Sequence, residues 1–461
     1  MRRTLALALF LFVSLAYPAA GAAGQPLQTA FLDPSAFGGA EADTAFTHAQ
    51  DAGTTGVRLQ LIWSAAAPAK RPKGFDPADP ADPAYRFASL DAQVRLAARH
   101  GLDPIVYIET APWWAFVRDH GYLRPSPKAF GDFALAAARR YSGHFEGLPR
   151  VRFWQAWNEP NKVGGPALKA SQPDWYREMV ESFAAAVHRV HADNAVVAGG
   201  LAPFGKSTVV APLDFMRRLL CMSTGDVPKP TCSQATPFEI WSTHPYTSGG
   251  PTHSASRPDD VSLGNLPEMK ALLDAAVRAH HVRSRAAVRF WVTEFSWDSS
   301  PPDPKGVPIK LHARWVSEAL YRMWAAGVSL CVWFRLDDDP LRTSPYQSGL
   351  YFHGSSLRTE RPKLSLRAFR FPFVALPQGG RVLVWGRTPG GRPGTVVVEQ
   401  RSAGGWRRVV SLATDRNGIL TGVVTARGGG DFRARVPAQG ASSLPFALAS
   451  PPDRPVSPFG S

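Results

Sequence analysis

Between residues 27 and 335 the chain carries eight short apolar runs separated by stretches long enough to hold a helix. They are QTAFLD (28–33), GVRLQLIW (56–63), DPIVYIET (103–110), VRFWQAW (151–157), AVVAGG (195–200), FEIWSTH (238–244), AVRFWVTE (287–294) and VSLCVWF (328–334). Several are near-continuous rather than alternating hydrophobic runs, the pattern of strands buried on both faces. Helical spacing fills the intervals, most clearly at 89–101, closed by Gly101 in a C-cap position, and at 173–193 and 312–327. Eight strands alternating with helices predict a (β/α)8 barrel over residues 27–376. The competing arrangement is a doubly wound open sheet, but no Gly-rich phosphate turn follows the first strand.

The two ends of the chain read differently. Residues 1–22 open on Arg2 and Arg3, continue through an apolar run from Leu5 to Tyr17 and end on small residues. This is the layout of a secretory signal peptide, and the run is shorter than the roughly 20 residues that span a bilayer. A secreted or envelope-associated protein is expected, with no transmembrane segment. In that setting Cys221 and Cys232, both in one Pro/Ser/Thr-rich segment, are expected to form a disulfide, leaving Cys331 as a buried thiol. Residues 377–449 change character, with short strands separated by Gly-rich turns, and predict a small β-sandwich accessory domain. Residues 450–461 read as a disordered tail. The net charge of +15 is scattered, with no run of five basic residues. Weak association with anionic envelope polymers is expected from it, nucleic-acid binding is not, and the chain reads as a monomer.

In a barrel of this kind chemistry sits where strands end at their C-terminal side. Two carboxylates end Trp-containing runs, Glu159 in FWQAWNEPN and Glu294 in WVTEF. Facing each other across a cleft, they would suit glycosidic bond cleavage, one donating a proton to the leaving oxygen and the other attacking the anomeric carbon. Asn158 is placed to hydrogen-bond a sugar hydroxyl, and Arg58, His244 and Tyr246 to keep Glu294 ionised. Neighbouring negative charge is expected to keep Glu159 protonated. Trp113, Trp114 and Trp333 are candidates for stacking on pyranose faces, and Trp154 and Trp157 for barrel packing. Glu109 reads as a salt-bridge partner. Asp298 and the Asp337–Asp339 run read as loop surface; the run lacks the Gly turn and distal Glu of an EF-hand. No Cys/His spacing suggests zinc, and neither metal nor organic cofactor is expected.

Together Arg58, Asn158-Glu159, His244-Pro245-Tyr246 and Glu294 resemble, in order and position, the retaining (β/α)8 glycoside hydrolases of clan A. The likeness is nearest to family 39-like members, with family 5 a near relative, and spans residues 27–373. It implies Glu159 as general acid/base, Glu294 as nucleophile, retention of configuration, and carboxyl groups about 5 Å apart rather than about 6.5–9.5 Å. The expected substrate is an oligo- or polysaccharide, its sugar and linkage unspecified. Against this stand two readings without catalysis: an envelope glycan-binding protein, and an adhesion protein docking through its Arg-rich sandwich.

Overall fold

The computed structural model describes residues 24–451 and 454–457, except 120, 165 and 427. The expected signal peptide lies outside the described residues. Eight parallel strands close into a barrel: β1 Gln28–Leu32, β2 Gly56–Ile62, β3 Asp103–Glu109, β4 Phe153–Ala156, β5 Ala195–Leu201, β6 Ile240–Thr243, β7 Arg289–Phe295 and β8 Val328–Phe334. Each pairs with its neighbours in sequence, and β8 closes on β1 from Gln28↔Leu330 to Leu32↔Phe334. These are the eight apolar runs of the sequence, and the chain has the (β/α)8 fold.

Side chains alternate across each strand, and that parity sorts them into two layers. Ala30, Leu32, Ile105, Tyr107, Val197, Ile240, Trp291, Leu330 and Val332 fill the barrel. Phe31, Val57, Leu59, Val106, Ile108, Trp154, Cys331 and Trp333 face the surrounding helices instead. Among those helices, α1 Pro127–Arg140 starts on a Ser126 cap, whose side chain accepts from the Ala129 amide, with Pro127 in its first turn. It packs beside α2 Gln172–Val190, which buries Trp175, Tyr176, Met179, Val180 and Phe183 on one face. Tyr176 reaches past that layer, donating to the Ala156 carbonyl at 2.7 Å and accepting from the Gly199 amide at 2.9 Å. It thereby ties β4 to β5 just beneath their C-terminal ends.

Two irregularities shape the C-terminal rim of the barrel. Pairing of β5 with β6 shifts between Gly199 and Leu201. Gly200 has a φ of 63°, and a Cβ there would stand 2.5 Å from the Gln155 amide nitrogen. In β7 three residues, from Val292 to Phe295, span what two residues span in β8. Such bulges re-aim side chains at barrel rims.

Beyond the barrel, β9 Phe373–Gln378, β10 Arg381–Arg387, β11 Thr395–Ser402, β12 Gly405–Ala413, β13 Ile419–Val424 and β14 Asp431–Val436 form two antiparallel sheets, as the sequence predicts for a β-sandwich. Its first strand, β9, is not among the expected ones and begins before residue 377, pairing along its whole length with β10. The sandwich is seated on the barrel helix α3 Ile309–Ala325. Trp385 meets Tyr321 and Trp324 at 5.5 and 5.7 Å between ring centroids, and the Arg314 guanidinium lies 3.8 Å over the Phe446 ring.

Cys221 and Cys232 are joined as a disulfide with Cα atoms 5.2 Å apart, and Cys331 is buried and free. Residues 454–457, expected in a disordered tail, run back across the loops that follow β6 and β7. The Val456 amide donates to the Ser248 carbonyl at 3.0 Å, and the apolar Val456 side chain is partly buried against the core. Among the described residues no helix is long and apolar enough to cross a membrane.

Candidate active site

Arg58 organises the floor of the cleft. Its position on β2 points into the barrel, where it is 1% exposed and stacks over the Tyr107 ring at 3.9 Å. It donates from Nε to Gln155 Oε1 at 3.0 Å, from Nη2 to Asn158 Oδ1 at 2.8 Å, and from Nη1 to Glu294 Oε2 at 3.3 Å. One guanidinium thus connects β2, β4 and β7. The Tyr246 hydroxyl donates to the other Glu294 oxygen at 2.9 Å. Burial and the Glu294 charge push the Tyr246 hydroxyl well above its ordinary range, so it stays a donor.

Glu159 stands on the opposite wall. Trp157 and Glu159 both have positive φ, 71° and 47°, in a region that bulky side chains rarely adopt. This turn is held by the Glu159 amide, which donates to the Gly200 carbonyl at 3.0 Å, and by Asn161, whose buried amide bonds to Ala202 and Val210. His244, fully buried, joins the two walls. Its Nδ1 lies 3.3 Å from Glu159 Oε1 and 3.9 Å from Glu294 Oε2, and its Nε2 lies 3.2 Å from Thr293 Oγ1. The β7 bulge brings both Thr293 and Glu294 to site residues. Gln155 and His244 need the space that Gly200 leaves open.

A cavity of about 180 Å³ contains both carboxylates and is walled by Lys162, Tyr246, Ser296, Trp297, Asp298, Phe334, Tyr346 and Ser348. It opens toward a groove of about 610 Å³ that shares Glu159, Lys162 and Tyr346 with it.

Several expectations change. Glu159 is not surrounded by negative charge: burial raises its pKa, but His244 and an ion pair with Lys162 outweigh that and hold it at about 2. Trp333 is 1% exposed because strand parity turns it outward, against Phe295 and Phe369, with its indole donating to the Ser348 carbonyl at 2.9 Å. Phe334, one residue on, faces the cleft and meets Tyr346 edge-on at 5.1 Å. Trp114 packs on Trp63 and Phe75 and donates to the Pro68 carbonyl at 2.7 Å, so it too is a packing residue. Trp113 is 77% exposed on the turn after β3, leaning on Phe116, outside the cavity that holds the two carboxylates. Trp154 and Trp157 pack in the barrel wall as expected.

Glu109 accepts from Gln60, and among the described residues it pairs with no cation. Asp298, read as surface, is buried in the cavity wall, and burial pushes its carboxyl up to about 6. Asp337 and Asp338 are buried as well. Asp338 pairs with Lys363 at 2.6 Å, both fully enclosed. Asp337 is raised to about 8, by burial first and then by Asp33. Sequence reasoning missed Gln155, Thr293, Lys162, Phe334 and Tyr346. The signal for Lys162 was a cation three residues after Glu159, within the same tight turn.

No family model and no curated protein sequence matches the chain. Solved structures that resemble it include the GH39 enzyme of Xanthomonas axonopodis pv. citri, at 13% identity over 87% of this chain and 91% of that one, with a TM-score of 0.49. A glucosidase from Croceicoccus marinus matches at 15% identity over 87% and 93% of the two chains, with a TM-score of 0.48. A glycoside hydrolase family 30 xylanase from Clostridium acetobutylicum matches at 12% identity over 87% and 94%, with a TM-score of 0.45. What the site can do is decided by its own residues.

Proposed function

We propose that the chain is an exported glycoside hydrolase that works by double displacement with retention. The observation carrying this reading is that Glu159 and Glu294, from opposite walls, converge on a single His244 nitrogen inside one cavity. Glu294 is fixed from both oxygens by Arg58 and Tyr246, which aims a carboxylate that can attack an anomeric carbon. As the glycosidic bond breaks, Glu159 delivers its proton to the leaving oxygen, and the sugar becomes an ester of Glu294. Water then attacks the anomeric carbon, Glu159 takes the water's proton, and the Glu294 carboxylate leaves. Asn158 has its oxygen occupied by Arg58, which leaves its NH2 group to donate to a sugar hydroxyl. Phe334 and Tyr346, rather than Trp333, supply aromatic surface for the ring.

Acid catalysis requires Glu159 to gain a proton that His244 and Lys162 disfavour. Substrate displaces water and draws on the same Lys162 ammonium, and both effects raise the carboxyl toward the working range. Activity is tested with a panel of aryl glycosides and polysaccharides, following the anomeric form of the first-released sugar by NMR. Retention is expected. Release of the inverted anomer would overturn double displacement, and binding without turnover of any substrate would favour a glycan-binding role.

A further inference from the structure

The groove beside the catalytic cavity is lined by Glu159 but not by Glu294. Because the proton donor sits next to the departing oxygen, the leaving-group side of the substrate must extend along this groove; this step rests on the hydrolase reading of the two carboxylates. Three successive barrel loops build most of it, with Tyr346 from the segment after β8, and each of the three contributes one basic residue: Lys162 after β4, Lys206 after β5 and Arg257 after β6. Among the described residues Lys206 and Arg257 have no carboxylate in ion-pair contact, and both are exposed.

The loops are stitched together. Asn161, fully buried, bonds through its side chain to Ala202 and Val210, and Lys162 and Lys206 both bridge to Val209. Arg257 donates to the Gly205 carbonyl at 3.1 Å, and the Gly205 amide donates to buried Asp260 at 2.6 Å. Lys169 braces the same place from behind by donating to the Lys206 carbonyl at 2.9 Å. Apart from Glu159 itself, Asp260 is the one acid among the lining residues; its carboxylate accepts from the Gly205 amide and also feels the Arg257 charge, with no ion-pair contact between them. Ser248 and Ser256 complete the polar lining, and Phe204 adds an aromatic surface.

We propose that this groove is a leaving-side subsite for a sugar carrying an anionic group, a carboxylate or a sulfate, held by Lys206, Arg257 and Lys162. Lys162 is shared by the groove and the catalytic cavity, where it is paired with Glu159. An anion seated in the groove competes with Glu159 for that ammonium. Recognition of the leaving sugar is thereby coupled to release of the acid.

The test uses the glycosyl unit that the aryl-glycoside panel identifies, linked to three matched leaving sugars: a uronic acid, its methyl ester and a 6-sulfated neutral sugar. The acid or the sulfate is expected to exceed the ester about tenfold in kcat/KM, as three partly solvated charge contacts would give. The Lys206→Ala/Arg257→Ala double variant should bring the ratio close to one, the loss falling on the charged leaving sugars and not on the methyl ester. Equal turnover of charged and neutral leaving sugars by the wild type overturns the inference without touching the hydrolase assignment, as does a preference that survives the double variant. If the panel yields no turnover, calorimetric binding of oligogalacturonate against its methyl ester, in wild type and double variant, decides the subsite separately. Equal binding, or loss of binding to neither form, overturns it.

Discussion

The two walls of the cleft hold their carboxylates in opposite ways. Glu294 sits at a strand end over a closed, protein-internal network, in which the 1% exposed Arg58 and the 4% exposed Tyr246 occupy both of its oxygens. Glu159 sits in a turn with positive φ and takes its cation from Lys162, a side chain more than half exposed at the mouth of a wide groove. A nucleophile must keep one charge state and one position, which a buried permanent cation provides. An acid/base must change charge twice per turnover, which a solvent-exposed, replaceable cation allows. The difference between the walls matches the difference between the two roles.

The largest test of that contrast is Glu294→Gln. Loss of the nucleophile should cost on the order of 10⁶-fold in kcat, whatever the leaving group. Glu159→Gln should cost less, about 10²–10⁴-fold, and the loss should shrink for dinitrophenyl glycosides, whose leaving group departs without a proton. A steady-state comparison across leaving groups separates the two; equal sensitivity in both variants would erase the assigned roles.

Stability should divide along the same line. Arg58→Met strands Glu294 beside unpaired acceptors, and denaturant unfolding should show a loss of about 3–5 kcal/mol. Lys162→Met removes a solvent-screened partner and should change stability by no more than about 1 kcal/mol.

The smallest and most diagnostic effect is on pH. Glu159 is depressed from 4.5 to about 2 in the folded protein, so its contribution to stability is present above the unfolded value and is lost as pH falls toward 2. In Lys162→Met the carboxyl rises, with His244 still beside it. Less of that acid-side loss should therefore be seen, and the basic limb of kcat/KM on a neutral aryl glycoside should move to higher pH. An unmoved limb would assign the depression to His244 alone.

Much of this architecture was readable from local pattern. Near-continuous apolar runs broken by helical spacing specify a parallel barrel because strands buried on both faces have no polar side to show. A carboxylate that abruptly ends such a run has few places to go except the strand-end face, which is why Glu159, Glu294, Asn158, His244 and Tyr246 could be named before any contact was known. Trp333 and Phe334 mark where that reasoning ran out. Both are aromatic and adjacent, and only closure of β8 between β1 and β7 decides which one faces the cleft. The β7 bulge that delivers Glu294, the glycine gap that admits Gln155 and His244, and the pairing of Lys162 with Glu159 likewise depend on neighbours distant in sequence or on a turn conformation held by them. Composition set which residues could carry charge into the protein. Long-range packing determined what each charge met there, and through that its protonation state.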